Sequence, residues 1–228
     1  MKIVVLAGGL SPERNVSLSS GILVCQALRE RGHQAAFVDL YFGTEYYSGD
    51  LESLFFAPLP EELSRVSREA PDLDAVKARR KTGGESQFGR DVLQLCAMAD
   101  IVFLALHGAC GEDGRVQAAL DLMGIPYTGS GYLGSAIAMD KDLTKRLVDP
   151  RGVRTPAWET LEYRAEDIGA IVQTASLPCV LKPIDSGSSI GVYICRTQEE
   201  LTAALEQGLK LGGRSVLEQY IAGRELQI

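Results

Sequence analysis

Two uninterrupted apolar runs constrain this chain more than any other feature. Ile3-Val4-Val5-Leu6-Ala7 and Ile101-Val102-Phe103-Leu104-Ala105-Leu106 carry no polar residue at alternate positions. Neither can be a strand with one face in water. Strands apolar on both faces belong in a parallel sheet covered by helices on either side. The flanking sequence supplies those helices. Leu18, Ile22, Leu23, Ala27 and Leu28 fall at helical spacing over 17–31, Gly32 stops that helix, and Ala35-Ala36-Phe37-Val38-Asp39 reads as a second strand. A helix follows over 116–123, and 124–128 starts another short strand. Strand, helix, strand alternation predicts a doubly wound α/β unit.

Residues 41–94 interrupt this pattern with Pro58, Pro60, Pro71 and a polar run over 77–86. They read as an insertion with one or two short helices and a mobile polar tip, without an interpretable motif. After the turn Gly129-Ser130-Gly131 the pattern shifts. One helix is predicted over 134–148, ended by Pro150 and Gly152. A strand over 157–161, a helix over 165–174, a hairpin, a helix over 197–211 and a strand over 215–218 then suggest a small α+β layer.

The hairpin is chemically specific. Cys179-Val180-Leu181-Lys182-Pro183 runs into Asp185-Ser186-Gly187-Ser188-Ser189-Ile190-Gly191 and returns through Val192-Tyr193-Ile194-Cys195. A tip of Gly and Ser offers backbone N–H groups and hydroxyls with little bulk, as a phosphate cradle requires. Lys182 adds a fixed positive charge, which points to an ATP-dependent enzyme. The formal net charge is −7 and the sequence pI about 5.0, so no nucleic-acid footprint is expected, and cations that bind phosphate must be concentrated locally. No apolar stretch approaches the roughly 20 residues of a membrane span, and the N-terminal run is too short for a signal peptide. The five cysteines are odd in number and form no C-x-x-C, which suits reduced thiols in a cytoplasmic protein.

Two loops follow the apolar runs, at strand ends where open α/β sheets bind ligands. The first, Gly8-Gly9-Leu10-Ser11-Pro12-Glu13-Arg14, lacks the third glycine of a dinucleotide loop and sets a carboxylate where an anion would sit. Glu13 either complements a helix macrodipole or receives a cation such as a substrate ammonium group. The second, His107-Gly108-Ala109-Cys110-Gly111-Glu112-Asp113-Gly114, holds one of the chain's two histidines. His107 in this position points to function rather than packing. Cys110 has only acids near it and is not expected to be a nucleophile. Lys141 falls inside the predicted 134–148 helix, where it could be an ordinary surface residue. Glu218, with the apolar extended Tyr220 and Ile221, could present its backbone to an adenine edge, and a further acid, Glu225, could accept ribose hydroxyls. No Walker A, H-E-x-x-H or G-x-S-x-G motif occurs.

Taken in order, Gly8-Gly9-x-Ser11-x-Glu13-Arg14, His107-Gly108-x-x-Gly111-Glu112-Asp113-Gly114, Pro126-Tyr127-Thr128-Gly129-Ser130-Gly131, Met139-Asp140-Lys141 and Leu181-Lys182-Pro183 with Gly187-Ser188-Ser189-x-Gly191 closely resemble D-alanine–D-alanine ligases of the ATP-grasp superfamily. The resemblance covers nearly the whole chain outside 41–94. It implies ATP-dependent joining of two D-alanines through an acylphosphate, for peptidoglycan. Glu13 would hold the ammonium group of the first D-alanine and hydrogen-bond towards Ser188, and His107 would lie near that substrate. Lys141 and Lys182 would bind ATP phosphates, with Ser188 and Ser189 closing over the γ-phosphate. Glu218, Tyr220 and Ile221 would frame adenine, and Glu225 would take the ribose.

The resemblance also implies a pre-ATP-grasp N-terminal domain over 1–130, a central ATP-grasp subdomain over 131–217, and the start of a C-terminal one over 218–228. In the family that last subdomain carries the Mg2+ carboxylates. The only E-x-N here is Glu13-Arg14-Asn15, in the wrong loop, so Mg2+ ligands are expected beyond Ile228 and this chain alone is expected to be inactive. A homodimer is expected. Two alternatives stand beside this reading: a ligase taking D-lactate or D-serine second, and a non-catalytic remnant that acts as a binding module.

Overall fold

The structure, a computed structural model, describes residues 1–64, 71–82, 84–109, 111–187 and 189–226. They divide into two compact units, Met1–Ala136 and Ile137–Ile228. The first runs β1 (Lys2–Ala7), α1 (Arg14–Glu30), β2 (Gln34–Asp39), α2 (Leu73–Ala78), α3 (Val92–Ala97), β3 (Ile101–Leu104) and α4 (Arg115–Leu122). Among the described residues its sheet has the order β2-β1-β3, parallel throughout. β1 is buried on both sides, as its composition requires, while β3 buries Val102 fully and leaves Ile101, Phe103 and Leu104 half-buried. Ile3, Val5 and Ala7 pack with Cys25 of α1, while Val4 and Leu6 pack with Val92, Leu95, Val116 and Leu120 of α3 and α4. Each fully buried side chain of this kind is worth about 1.5–3 kcal/mol.

Several predicted elements change. The first helix starts at Arg14 and not near Ser17. The strand expected over 124–128 is reduced to a single parallel bridge between Val102 and Tyr127. Part of its hydrogen bonding passes instead to a side chain, since the Leu104 N–H donates to Thr128 Oγ1 at 3.1 Å. The polar tip of the insertion is tethered. The Glu45 carboxylate accepts the N–H groups of Lys81 and Thr82, each at 2.8 Å, and the Thr82 hydroxyl. The Arg80 guanidinium donates to the Ser86 and Phe88 carbonyls and lies 4.6 Å from the Tyr41 ring centre. Burial raises the pKa of the Glu45 carboxyl, but the bonds from Thr82 and Lys81 and the charge of Arg80 outweigh it and hold the group below its ordinary value.

A helix, α5 (Tyr132–Met139), spans the division between the units, and α6 (Lys141–Val148) follows it. The sequence predicted one helix here; the break is at Asp140. Its backbone is extended (φ −84°, ψ 109°) and its carboxylate accepts the Leu143 N–H at 2.8 Å, a side-chain cap that starts a new helix. The second unit continues with β4 (Trp158–Glu162), α7 (Ile168–Thr174), β5 (Cys179–Pro183), β6 (Tyr193–Cys195), α8 (Gln198–Lys210) and β7 (Arg214–Gln219). Its sheet is antiparallel in the order β4-β7-β5-β6. The strands alternate. Leu161, Cys179, Leu181 and Leu217 pack with α7 and α8, so Trp158, Lys182 and Glu218 stand on the opposite face. The fold is thus α/β, with one parallel and one antiparallel sheet.

Candidate functional site

In the first unit the two loops after β1 and β3 are bound to each other. Ser11 is buried; its hydroxyl donates to the His107 carbonyl at 2.8 Å and accepts the Glu13 N–H at 3.2 Å. Ser17 performs the same stitch below them, donating to Ala105 O at 2.6 Å and accepting the Gly8 N–H at 2.8 Å. Gly108 adopts φ +71°, and a Cβ there would stand 2.7 Å from Glu13 Oε2. The Glu13 carboxylate therefore lies directly against the second loop. Glu13 precedes α1, yet its side chain makes no capping hydrogen bond, which removes one structural use for it.

The residue after it is locked in place. Arg14 is buried, donates to the Gly9 carbonyl at 2.7 Å, pairs with Asp39 at the end of β2, and lies 5.0 Å from the Phe42 ring centre. The insertion thus packs against the base of the Glu13 loop. In the second loop Glu112 Oε2 accepts the Gly108 N–H at 3.0 Å, and Oε1 lies 3.8 Å from His107 Nδ1. His107 is half-exposed, as a residue meeting a small solute would be. Cys110 lies outside the described residues.

In the second unit a cavity of about 380 Å3 is lined by Lys141, Lys145, Lys182, Arg154 and Glu218, with Ala138, Thr144, Thr155 and Pro156. Lys182 rises from β5 and its Nζ lies 2.6 Å from Glu218 Oε2, while Lys145 Nζ lies 3.0 Å from Oε1. Glu218 is only 5% exposed. A carboxylate buried so far costs several kcal/mol unless paired, and here two ammonium groups compensate it.

Lys141 is not the ordinary surface lysine the sequence allowed. It opens α6, is half-buried, and donates from Nζ to Ser186 O at 2.6 Å. Burial lowers its pKa first, and the Lys182 charge lowers it further, against the opposing pull of Asp185, Glu218 and Asp140. Four cationic side chains around one acid leave the cavity with an excess of positive charge, which attracts anions.

The hairpin loop folds back on itself. The Ile190 N–H donates to Gly187 O at 3.1 Å and the Ser186 hydroxyl to Ile190 O at 3.0 Å. Ser189 is exposed at φ 58°. Ser188 lies outside the described residues. Tyr220 follows the end of β7, half-buried, its N–H donating to Pro178 O at 3.2 Å. Ile221 and Glu225 are exposed, and neither they nor Tyr220 and Ser189 line the cavity.

Sequence reasoning missed Lys145, Arg154 and Trp158. Lys145 had a usable signal, because it stands four residues after Lys141 and so shares its face of a helix. Trp158 Nε1 donates to Asp142 Oδ1 at 2.9 Å, which fixes the ring beside Lys145. Among the described residues no three His, Cys, Asp or Glu side chains converge as a metal site.

The family model described as "D-ala D-ala ligase N-terminus" matches residues 2–130, and that described as "D-ala D-ala ligase C-terminus" matches 147–228. The chain is 39% identical over 228 residues to a D-alanine–D-alanine ligase of Lacticaseibacillus casei, covering all of this chain and 63% of the relative. It is 41% identical to that of Pediococcus pentosaceus, covering 65% of it. A solved D-alanine–D-alanine ligase of Bacillus anthracis complexed with ATP superposes with a TM-score of 0.65 at 26% identity. That match covers 98% of this chain and 60% of the solved one. The chain thus spans a little under two thirds of the curated relatives it matches.

Proposed function

Since this chain belongs to the D-alanine–D-alanine ligase family, we propose that it carries the N-terminal and central parts of an ATP-dependent ligase that makes D-alanyl-D-alanine for peptidoglycan in the cytoplasm. The observation that carries the reading is the cationic cavity of the second unit. There Lys141 and Lys182 neutralise the triphosphate, and Ser188 and Ser189 close over its γ end. Glu218 with Tyr220 and Ile221 frames adenine, and Glu225 takes the ribose. In the first unit Glu13 pairs with the ammonium group of the first D-alanine, with His107 close to that substrate.

The chemistry these residues serve is charge management. A D-alanine carboxylate oxygen attacks the γ-phosphorus and ADP leaves, which forms an acylphosphate. The amine of the second D-alanine attacks the acyl carbon, expels phosphate and loses a proton. Each step gathers negative charge on phosphoryl oxygens, which fixed ammonium groups stabilise by several kcal/mol relative to water. The domain scheme extends the reading: 1–130 for substrate, 131–217 for nucleotide, and 218–228 as the start of a further subdomain. Mg2+ accompanies ATP through ligands outside the described residues, and the whole protein works as a homodimer.

The test is phosphate release by the full-length protein with ATP and single amino acids, with mass spectrometry of the product. D-Alanine alone should support release and yield the dipeptide. Equal release with other amino acids, a depsipeptide with D-lactate in preference to D-alanine, or no turnover at all would each overturn the reading.

A further inference from the structure

We infer that Lys145 is a positioning residue for nucleotide recognition that acts by holding Glu218. This rests on the reading that the second-unit cavity takes ATP. Lys145 is 8% exposed, and its ammonium group meets Glu218 Oε1 at 3.0 Å, Pro156 O at 3.4 Å and the Trp158 ring centre at 5.1 Å. Burying an ammonium costs free energy that one acid already paired with Lys182 does not require. The second cation has a use if Lys182 changes partner. Lys182 is the more exposed of the two, at 24% of its side chain against 10% for Lys145. A triphosphate entering the cavity competes with Glu218 for Lys182. Glu218 would then stand buried and uncompensated, were Lys145 not there to balance its charge and hold it in place.

The hydrogen-bond pattern agrees. Among the described residues Glu218 Oε1 is buried, lies within ion-pair distance of Lys145, and accepts no hydrogen bond of good geometry. Its charge is balanced while an acceptor site stays open, which suits an amino group on a ligand. Lys145 fixes that acceptor by attraction from α6 and by its seat on Trp158, whose ring Asp142 anchors in turn. Lys145 is not assigned a contact with ATP.

The test is a double-mutant cycle in the full-length protein, with ATP affinity read by calorimetry and KM by initial rates. Lys145→Met should weaken ATP binding about tenfold or more, the size expected when one partner of a buried charge pair is truncated. KM for D-alanine should stay within about twofold of wild type, a scatter too small to count as lost binding energy. Lys145→Arg should restore most of the affinity. In a Glu218→Gln background, where no buried carboxylate is orphaned and folding is protected, Lys145→Met should have no further effect. Additive losses would make Lys145 a direct ligand or a merely structural residue and overturn the inference, as would wild-type ATP affinity in Lys145→Met. Wild-type protein that binds no ATP would instead overturn the reading of the cavity, and the inference with it.

Discussion

Gly108→Ala separates substrate recognition from folding at the first site. A methyl at Gly108 would stand 2.7 Å from Glu13 Oε2 and 3.2 Å from Ser11 Cβ. Carbon and oxygen approach no closer than roughly 3.3–3.6 Å in ordinary contact, so the carboxylate must retreat by about 0.6–0.9 Å. It is the far end of a flexible side chain, so the retreat itself costs the fold little. The left-handed backbone at φ +71° adds about 1–2 kcal/mol for alanine, which for a protein of this size lowers Tm by about 2–8 °C. Function should suffer more, because a misplacement near 1 Å in a binding constellation can cost about a hundredfold. Initial-rate kinetics on the full-length protein should show KM for D-alanine raised about tenfold to a hundredfold, with KM for ATP unchanged. If D-alanine kinetics stay normal while Tm falls, Gly108 serves packing alone and Glu13 does not touch substrate.

Glu13→Gln tests the same contact without the clash. Losing a charge-assisted bond to an ammonium group costs about 1.5–3 kcal/mol against about 0.3–1 kcal/mol for a helix-dipole interaction, so KM for D-alanine should rise at least about tenfold with little change in melting. An early-melting variant with normal KM would assign Glu13 to structure. Lys182→Ala should weaken kcat/KM for ATP by roughly 2–4 kcal/mol while folding holds, because Lys145 still compensates Glu218; unchanged kinetics would remove Lys182 from the site. Asp142 is held down to about 2 from an ordinary 3.8, mainly by Arg146 and also by Trp158 and Thr160. Its folded pKa is depressed, so its stabilising share is complete above about pH 4 and disappears as pH falls towards 2. Wild type should exceed Asp142→Asn in urea by about 1 kcal/mol or less at pH 6, after screening by solvent, and the gap should close near pH 2; a gap independent of pH would exclude the linkage. Glu45→Ala should release the 79–82 segment, since each of the three lost hydrogen bonds to a carboxylate is worth about 1.5–3 kcal/mol, and speed tryptic cleavage at Arg79, Arg80 and Lys81; equal cleavage rates would show the tether to be dispensable.

Legibility in the sequence followed the range of the interaction. β1 and β3 were readable because burial on both faces is written into every residue of an apolar run, and the hairpin because a lysine strand and a glycine–serine turn are local. Glu13 and His107 stood out in glycine-bearing loops at strand ends and Lys182 beside the glycine–serine turn, whereas Lys141 drew notice only through the family resemblance. What escaped was set by contacts across long stretches of sequence. Asp140 looked like one more helical residue until the Lys141 N–H found the Ile184 carbonyl at 3.0 Å, forty-three residues away in sequence. The 77–86 run looked mobile because it carries no periodic pattern; one partner that holds it, Glu45, precedes it by thirty-six residues at the nearest bond. Lys145 was hidden for a different reason. Its helical position put it beside Lys141, but its meaning depends on Glu218, which β7 brings next to Lys182 by pairing with β5. A charge cluster built from α6, β5 and β7 exists only once those strands are in register, since shifting β7 by one residue would turn Glu218 to the face that packs on α7 and α8. Register in that sheet is fixed by Leu181, Leu217 and Cys179 in the core, so the apolar side of the sheet sets the charge geometry of the other.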